Sequence, residues 1–379
     1  MTRAQMIQEP ISTTNERLYM ALELSNKKWK LAFGNGAKTR FKTIDARDLE
    51  RLHKEIRDAK QRFSMSPDAP VFSCYEAGRD GFWIHRHLIE QGIHNSVVDS
   101  SSIEVNRRYR RVKTDHIDAS KLLTMLIRYL HGERKVWSVV RVPDIAQEDA
   151  RRVNREIERL KKEKTAHSNR ITSLLILHGI KTRVDSRFLK RLEHMRMFNG
   201  DPLPAHLKNE ILREHERYEL IKTQLKQLEV EKRQILSDDS EQSSQARALA
   251  LFKGIGPVSA WLLVYEYFGW RRFDNVKQVA AAAGLVPTPY GSGQLSREQG
   301  ISKAGNRRIR AVMIELAWYW LRYQPQSELS LWYMQRFASG NKRTRRVGIV
   351  ALARKLLVAL WKYLEKQTVP EGAVFKKAA

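Results

Sequence analysis

The sequence predicts an α/β domain followed by two all-α regions, and three observations predict it. Short apolar runs separated by turn residues fill roughly the first 145 residues. Apolar spacings of alternating four and three take over from about residue 147. A basic, helix-patterned segment then completes the chain. The boundaries that follow are 1–146, 147–240 and 241–379.

Residues 17–24, 28–34 and 38–44 read as three strands, with Ser25-Asn26 and Asn35-Gly36 at the turns between them. Leu49, Leu52, Ile56 and Ala59 share one face of a helix over 45–62. Strand 70–76, helix 80–91, strand 93–99, helix 115–131 and a last strand near 136–142 complete a mixed sheet with helices. In the middle region, Val153, Ile157, Leu160, Lys164, His167, Ile171, Leu174 and His178 form one seam. A second runs through Leu207, Ile211, Glu214, Tyr218, Ile221, Leu225, Leu228, Lys232 and Ile235. An average step of about 3.5 marks an antiparallel coiled-coil pair turning at Gly200–Pro204, either an internal hairpin or an oligomerisation arm. Segment 237–247 reads as a polar linker, and the rest as helices.

Composition narrows the function. The 379 residues carry 69 Lys and Arg against 42 Asp and Glu, a formal charge of +27. Hydrophobic residues, at 42%, suffice for packed cores. A single cysteine, Cys74, excludes an internal disulfide, and no Cys/His cluster has zinc spacing. No apolar stretch is long enough for a membrane helix, and the N-terminus lacks the apolar core of a secretion signal, so a cytoplasmic protein with no membrane partner is expected. Such an excess of cations fits nucleic acid, because each neutralised phosphate releases counterions. Between Arg297 and Lys362 stand 14 Lys and Arg and 3 Asp and Glu, interleaved with aromatics from Trp318 to Phe337 that either pack or stack on bases.

Four acids stand out. Glu23 interrupts the apolar run Met20–Leu24, where a carboxylate is costly to bury without a cation or a donor. Glu76 ends a strand, and it either faces a ligand or pairs with Arg79. Asp115 and Asp118 share one face at a helix start, where they either cap the helix or contribute to a site. Together the four offer the oxygen ligands that Mg2+ requires, as one ion or as two clamping a phosphodiester. In the third region, Lys253-Gly254-Ile255-Gly256-Pro257 suits a helix-hairpin-helix turn, with Lys253 and the backbone of Gly254 and Gly256 gripping a phosphate. Glycines flank Ser292, freeing the backbone to present its hydroxyl, and Lys303, Arg307, Arg308 and Arg310 follow as candidate phosphate partners. A serine nucleophile must be activated, and its own segment holds no base.

In this order the motifs resemble those of the DEDD insertion-sequence transposases, a family that includes the bridge-RNA-guided recombinases. The matching stretches are Arg111-Val112-Lys113-Thr114-Asp115-His116-Ile117-Asp118-Ala119, Gly254–Pro257, Gly284-Leu285-Val286-Pro287 through Ser292-Gly293, and Ser302-Lys303-Ala304-Gly305-Asn306-Arg307. The resemblance covers nearly the whole chain. It implies a RuvC-like, ribonuclease H-type N-terminal domain whose acidic tetrad maps to Glu23, Glu76, Asp115 and Asp118, with Glu in place of the usual first Asp. It implies Ser292 as the nucleophile, with Ser302 and then Ser296 as fallbacks, and Lys113 among the nucleic-acid contacts. Further implications are Mg2+, a structured guide RNA that chooses the DNA by base pairing, a homo-dimer or tetramer sharing its sites, and a bacterial or archaeal cytoplasm at the nucleoid. Two other readings keep the residues but change the chemistry. One is a metal-dependent junction nuclease using water; the other is a nucleic-acid-binding protein without catalysis.

Overall fold

The computed structural model describes residues 16–78, 81–103, 115–292 and 295–376. It divides into two compact units, residues 1–142 and 143–379. In the first unit, β1 (Leu18–Leu24), β2 (Lys28–Gly34) and β3 (Thr39–Asp45) form an antiparallel meander. Helix α1 (Leu49–Arg62) leads to β4 (Val71–Glu76), and α2 (Trp83–Glu90) leads to β5 (His94–Val98). The sheet order is β3-β2-β1-β4-β5, with β4 and β5 parallel to β1. Helix α3 (Asp115–Leu130) follows.

β1 is buried on both faces because helices cover both sides of the sheet. Leu18, Met20 and Leu22 pack with Leu52, Ile56, Ile84 and Leu88 of α1 and α2. Tyr19, Ala21 and Cys74 pack under Ala119, Leu122 and Leu126 of α3. Full burial pushes the Cys74 thiol up, out of the range where a thiolate forms near neutrality. The expected strand at 136–142 is instead a single bridge, Val98 to Val139. Val136 and Trp137 are adjacent in sequence, yet both are buried in the α3-side core, which the period-two alternation of a strand forbids.

Between α1 and α2, His53 Nε2 lies 2.9 Å from His87 Nε2. Burial first, then the His87 and Arg57 charges, hold His53 below the ordinary imidazole value. Burial likewise lowers His85. A base whose folded pKa is depressed stabilises the fold in its neutral form, and that stability is lost as pH falls below about 6.5. Melting of the first unit is therefore expected to drop between about pH 7.5 and 5.5, and His53→Gln is expected to reduce the drop. An unchanged pH dependence in that variant would rule out His53 as a source.

The second unit opens with α4 (Ile145–Ile176), capped at Asp144 by a reciprocal pair with Gln147. After the short α5 (Phe188–His194) comes α6 (Ala205–Ser237), packed along α4. The two run antiparallel, since Arg170 pairs with Glu210 and His167 with Glu214. The link between them is the whole span 177–204 with α5 inside it, longer than a turn at Gly200. Phe188 and Leu192 of α5 fill a core against Ile171, Leu175 and Ile211.

Residues 237–247 were expected as a linker, but α7 (Glu241–Ala250) occupies most of them. Ser240 caps it, and Ser243, Ala246 and Leu249 are buried along one face, so the polar composition hides an amphipathic helix. Next come α8 (Pro257–Leu263), a π-helical turn at Val264–Phe268, and α9 (Val276–Ala282). The all-helical expectation then fails locally. β6 (Pro287–Ser292) pairs with β7 (Leu295–Ile301) as an antiparallel hairpin. Its Pro and Gly residues break helix periodicity but still allow strand pairing, with a register shift between Pro287 and Pro289. Helices α10 (Arg307–Tyr323), α11 (Glu328–Tyr333) and α12 (Lys342–Lys366) complete the unit. Of the interleaved aromatics, Trp320 and Tyr333 are buried, while Trp318, Tyr319 and Tyr323 are exposed.

Candidate acidic site and nucleic-acid grooves

In the first unit the sheet register orders the acids. β1 and β4 pair with a constant offset, ending at Leu22 opposite Tyr75, so one further step sets Glu23 beside Glu76. Alternation turns both toward the face that α3 covers, the face of Tyr19, Ala21 and Cys74. Across β2, Lys30 stands opposite Glu23. Glu23 is half-buried and Glu76 exposed.

The direction of α3 is fixed by three contacts. Leu122 O accepts from Cys74 Sγ at 3.8 Å, Leu123 reaches Gly34, and His131 just past the helix end lies 6.3 Å from the Tyr19 ring. Its C-terminus thus lies at the start of β1 and its N-terminus toward the end that carries Glu23 and Glu76. From Leu122 back to Asp118 the helix rises about 6 Å. From Cys74 on to Glu76 the strand advances about 7 Å. Asp118 therefore stands near the height of the two glutamates, and it lies on the same stripe as Leu122. Asp115 opens the helix one turn earlier, with its side chain outside the described set. The donors are carboxylates without thiol or imidazole, a set that fits a hard cation such as Mg2+. Among the described residues no three His, Cys, Asp or Glu side chains already stand close enough to hold an ion. Lys113 and Arg79 lie outside the described residues.

In the second unit, Ser292 is the last residue of β6, paired with Leu295, so it sits at the free end of the hairpin. The described residues do not include its side chain. The other end of the hairpin is pinched shut. Gly284 has φ +68° and Gly305 φ +115°, both in the left-handed region. A Cβ at Gly284 would run into Ala304 O, and one at Gly305 into Ala282 O, so neither position has room for a side chain. Arg310 Nη1 secures the crossing by donating to Ala283 O and Lys303 O. Asn306 donates to Glu266 O, and its Oδ1 caps α10.

Glu266 is 1% exposed and receives two hydrogen bonds from Arg155 of α4, at 2.7 and 3.0 Å. The carboxylate raises the Arg155 pKa further, through that hydrogen bond. This pair of a buried carboxylate and a half-exposed arginine ties the long helix to the hairpin's support, and sequence reasoning missed it. Glu266 sits in the aromatic run Val264–Phe268, where an acid among buried rings was the available signal.

The predicted phosphate-binding residues fall into two grooves. Lys253, Gly254, Gly256, Arg307 and Arg308 line the first, of about 1070 Å³, together with Tyr319 and Tyr323. Arg308 is partly engaged there by Glu158 at 2.7 Å. Lys303 and Arg310 line the second, of about 1530 Å³, against α12. The α7–turn–α8 unit and the start of α10 thus meet at one surface, which the sequence treated as two separate motifs.

Comparison with known proteins follows this layout. Residues 246–330, which span the turn, the hairpin and α10, match the family model described as Transposase IS116/IS110/IS902 family. Over 378 residues the chain is 44% identical to a Sinorhizobium fredii (strain NGR234) protein named "Putative transposase y4rJ", covering 95% of this chain and 94% of that one. It is 26% identical over 227 residues to the transposase for insertion sequence element IS1328 of Yersinia enterocolitica, covering 59% of this chain and 64% of that one. It is 27% identical over 234 residues to the transposase for insertion sequence element IS1111A of Coxiella burnetii, covering 59% and 60%.

Proposed function

The chain belongs to the IS116/IS110/IS902 family of insertion-sequence transposases, and from that premise we propose a two-part chemistry for its action on DNA. Ser292 is the nucleophile, and Glu23, Glu76, Asp115 and Asp118 form the acidic set. The observation that carries this reading is the shared edge of the first unit. Register, alternation and the direction of α3 turn Glu23, Glu76 and the aspartate-bearing helix start to one end of one sheet face. A RuvC-like fold fits the observed meander followed by two parallel strands, with β1 at the centre.

In the step proposed, the Ser292 hydroxyl gives up its proton to a carboxylate of the acidic set. Its Oγ–P bond forms as the P–O bond to the leaving sugar oxygen breaks, and that oxygen takes up a proton. Attack by another sugar hydroxyl reverses the exchange, restores the serine and conserves the phosphodiester, so rejoining needs no nucleotide triphosphate. Mg2+, as one or two ions, would supply positive charge beside the phosphate oxygens. Glu23, Glu76, Asp115 and Asp118 would hold it, Lys30 opposite Glu23 helping to offset their charge. Lys253, Arg307 and Arg308 bind backbone phosphates, which positions DNA without reading sequence. Sequence readout is left to a guide RNA paired with the DNA. Acids from one protomer and serine from another act on the same linkage in a homo-oligomer, for which the α4–α6 pair, as a coiled coil, is the joining arm.

The test is a trapped intermediate. With guide RNA, Mg2+ and a nicked DNA that loses its cut end, a protein–DNA adduct is expected on denaturing gels, with the modified peptide mapping to Ser292. An adduct at Ser302 or Ser296 would move the nucleophile. Cleaved DNA with no adduct would mean attack by water.

A further inference from the structure

The second groove has a construction that the proposed chemistry does not use. We propose that it holds an unpaired DNA strand as it leaves the hairpin, an inference that rests on Ser292 attacking DNA. Around it stand Lys303, Arg310, Lys342, Arg343, Arg346, Arg354, Lys355 and Lys362, and among the described residues its lining contains no Asp or Glu. The first groove, by contrast, includes Glu158 and Glu315. The floor is apolar, formed by Leu285, Ile301, Ile314, Leu329, Phe337 and Val358.

That combination separates a single strand from a duplex. A duplex presents phosphates outward and hides its base faces, so it would leave an apolar floor in contact with water. An unpaired strand offers both parts at once: phosphates for the rim and flat, apolar base faces for the floor. Trp332 supplies an aromatic wall, with Lys355 Nζ 4.7 Å from its ring centroid. Phe337 meets Trp332 edge-on at 5.4 Å. Along α12 the cations from Arg346 to Lys362 span sixteen residues, about 24 Å of helix, enough for several nucleotides. Among the described residues Arg343, Arg346, Arg354 and Lys362 form no ion pair, so their charge is available to a ligand.

The position of the groove identifies the strand as DNA. Pro287 and Ile301, at the root of the hairpin that carries Ser292, form one of its walls. A strand whose linkage is held at the hairpin's free end runs back along β6 and β7 into this groove once its pairing partner has been removed.

The experiment uses the full-length Ser292→Ala protein, in which binding is read without cleavage, and three labelled probes: oligo(dT) of about twenty nucleotides, oligo(rU) of the same length, and a matching duplex. Arg346→Ala/Arg354→Ala/Lys362→Ala is expected to weaken oligo(dT) binding about ten-fold or more and to lower its salt slope by about two. Duplex affinity should change less than about two-fold, since the first groove is intact. Val347→Asp, at a lining position 51% exposed and so safe for folding, is expected to repeat the selective loss. Unchanged oligo(dT) binding, an equal loss for duplex, or a loss confined to oligo(rU) would each overturn the proposal. The trapped-adduct test reports separately on Ser292, so the two readings fail independently.

Discussion

Ser292→Ala is expected to lower strand transfer by at least about a thousand-fold while circular dichroism and DNA binding stay at the parental level. The size of the loss follows from the role. A nucleophile that forms the bond to phosphorus has no partial substitute, whereas a positioning group leaves residual rate. The result also separates the chemistries. If the variant still cuts DNA but no longer rejoins it, water is attacking and the acids alone suffice. If it recombines at the parental rate, the nucleophile lies elsewhere, with Ser302 the next position to replace. Asp118→Ala and Glu23→Ala are expected to give losses of similar scale with Ser292 intact, and Glu23→Asp reports on reach. Shortening the side chain by one methylene withdraws the carboxylate from any ligand on that edge, unless the edge was built to accept either length.

Arg155→Ala is expected to destabilise the second unit by about 2 kcal/mol. The buried Glu266 loses both hydrogen bonds to its partner and keeps its charge. Arg155 is itself 45% exposed and Arg151 remains nearby as a weaker counter-charge, which places the cost below that of breaking a fully buried pair. For a unit of this size the melting transition should fall by about 4 °C. Adding Glu266→Gln to Arg155→Ala removes the stranded charge and is expected to recover part of the loss, which a double-mutant cycle measures. Additive single and double effects would show that the pair is not coupled. Asn306 donates to the Glu266 backbone, so activity should fall along with stability as the hairpin's support loosens.

The α/β unit was legible because its strands combine apolar alternation with short polar turns, and β1, β2 and β4 lie within one residue of their expected bounds. Both long helices were legible from their spacing. What the sequence hid was tertiary. Val136 and Trp137 look like strand residues but are claimed by the α3-side core. Segment 237–247 looks like a linker, because only one narrow face of the helix there is apolar. The β6–β7 hairpin falls in a segment read as helical, since Pro287, Pro289 and Gly291 suppress local strand propensity and pairing across the hairpin supplies what they lack. Among the candidate site residues, the closeness of Glu23 to Glu76 was implicit in two strands that each carry an acid at or next to their last residue. The meeting of Lys253 with Arg307 and Arg308 was not, because no local pattern reports which helices share a groove.

The crossing of Gly284 and Gly305 has one more consequence. The segment between them begins and ends at the same point, because the backbone of each presses on the chain next to the other. A stretch closed on itself in this way behaves as a cassette. Its interior can differ between relatives in length and sequence while the helices outside it keep their places. Exchanging residues 284–305 as a block between two transposases should therefore carry the β6–β7 hairpin across intact, and exchanges with boundaries inside that block should not.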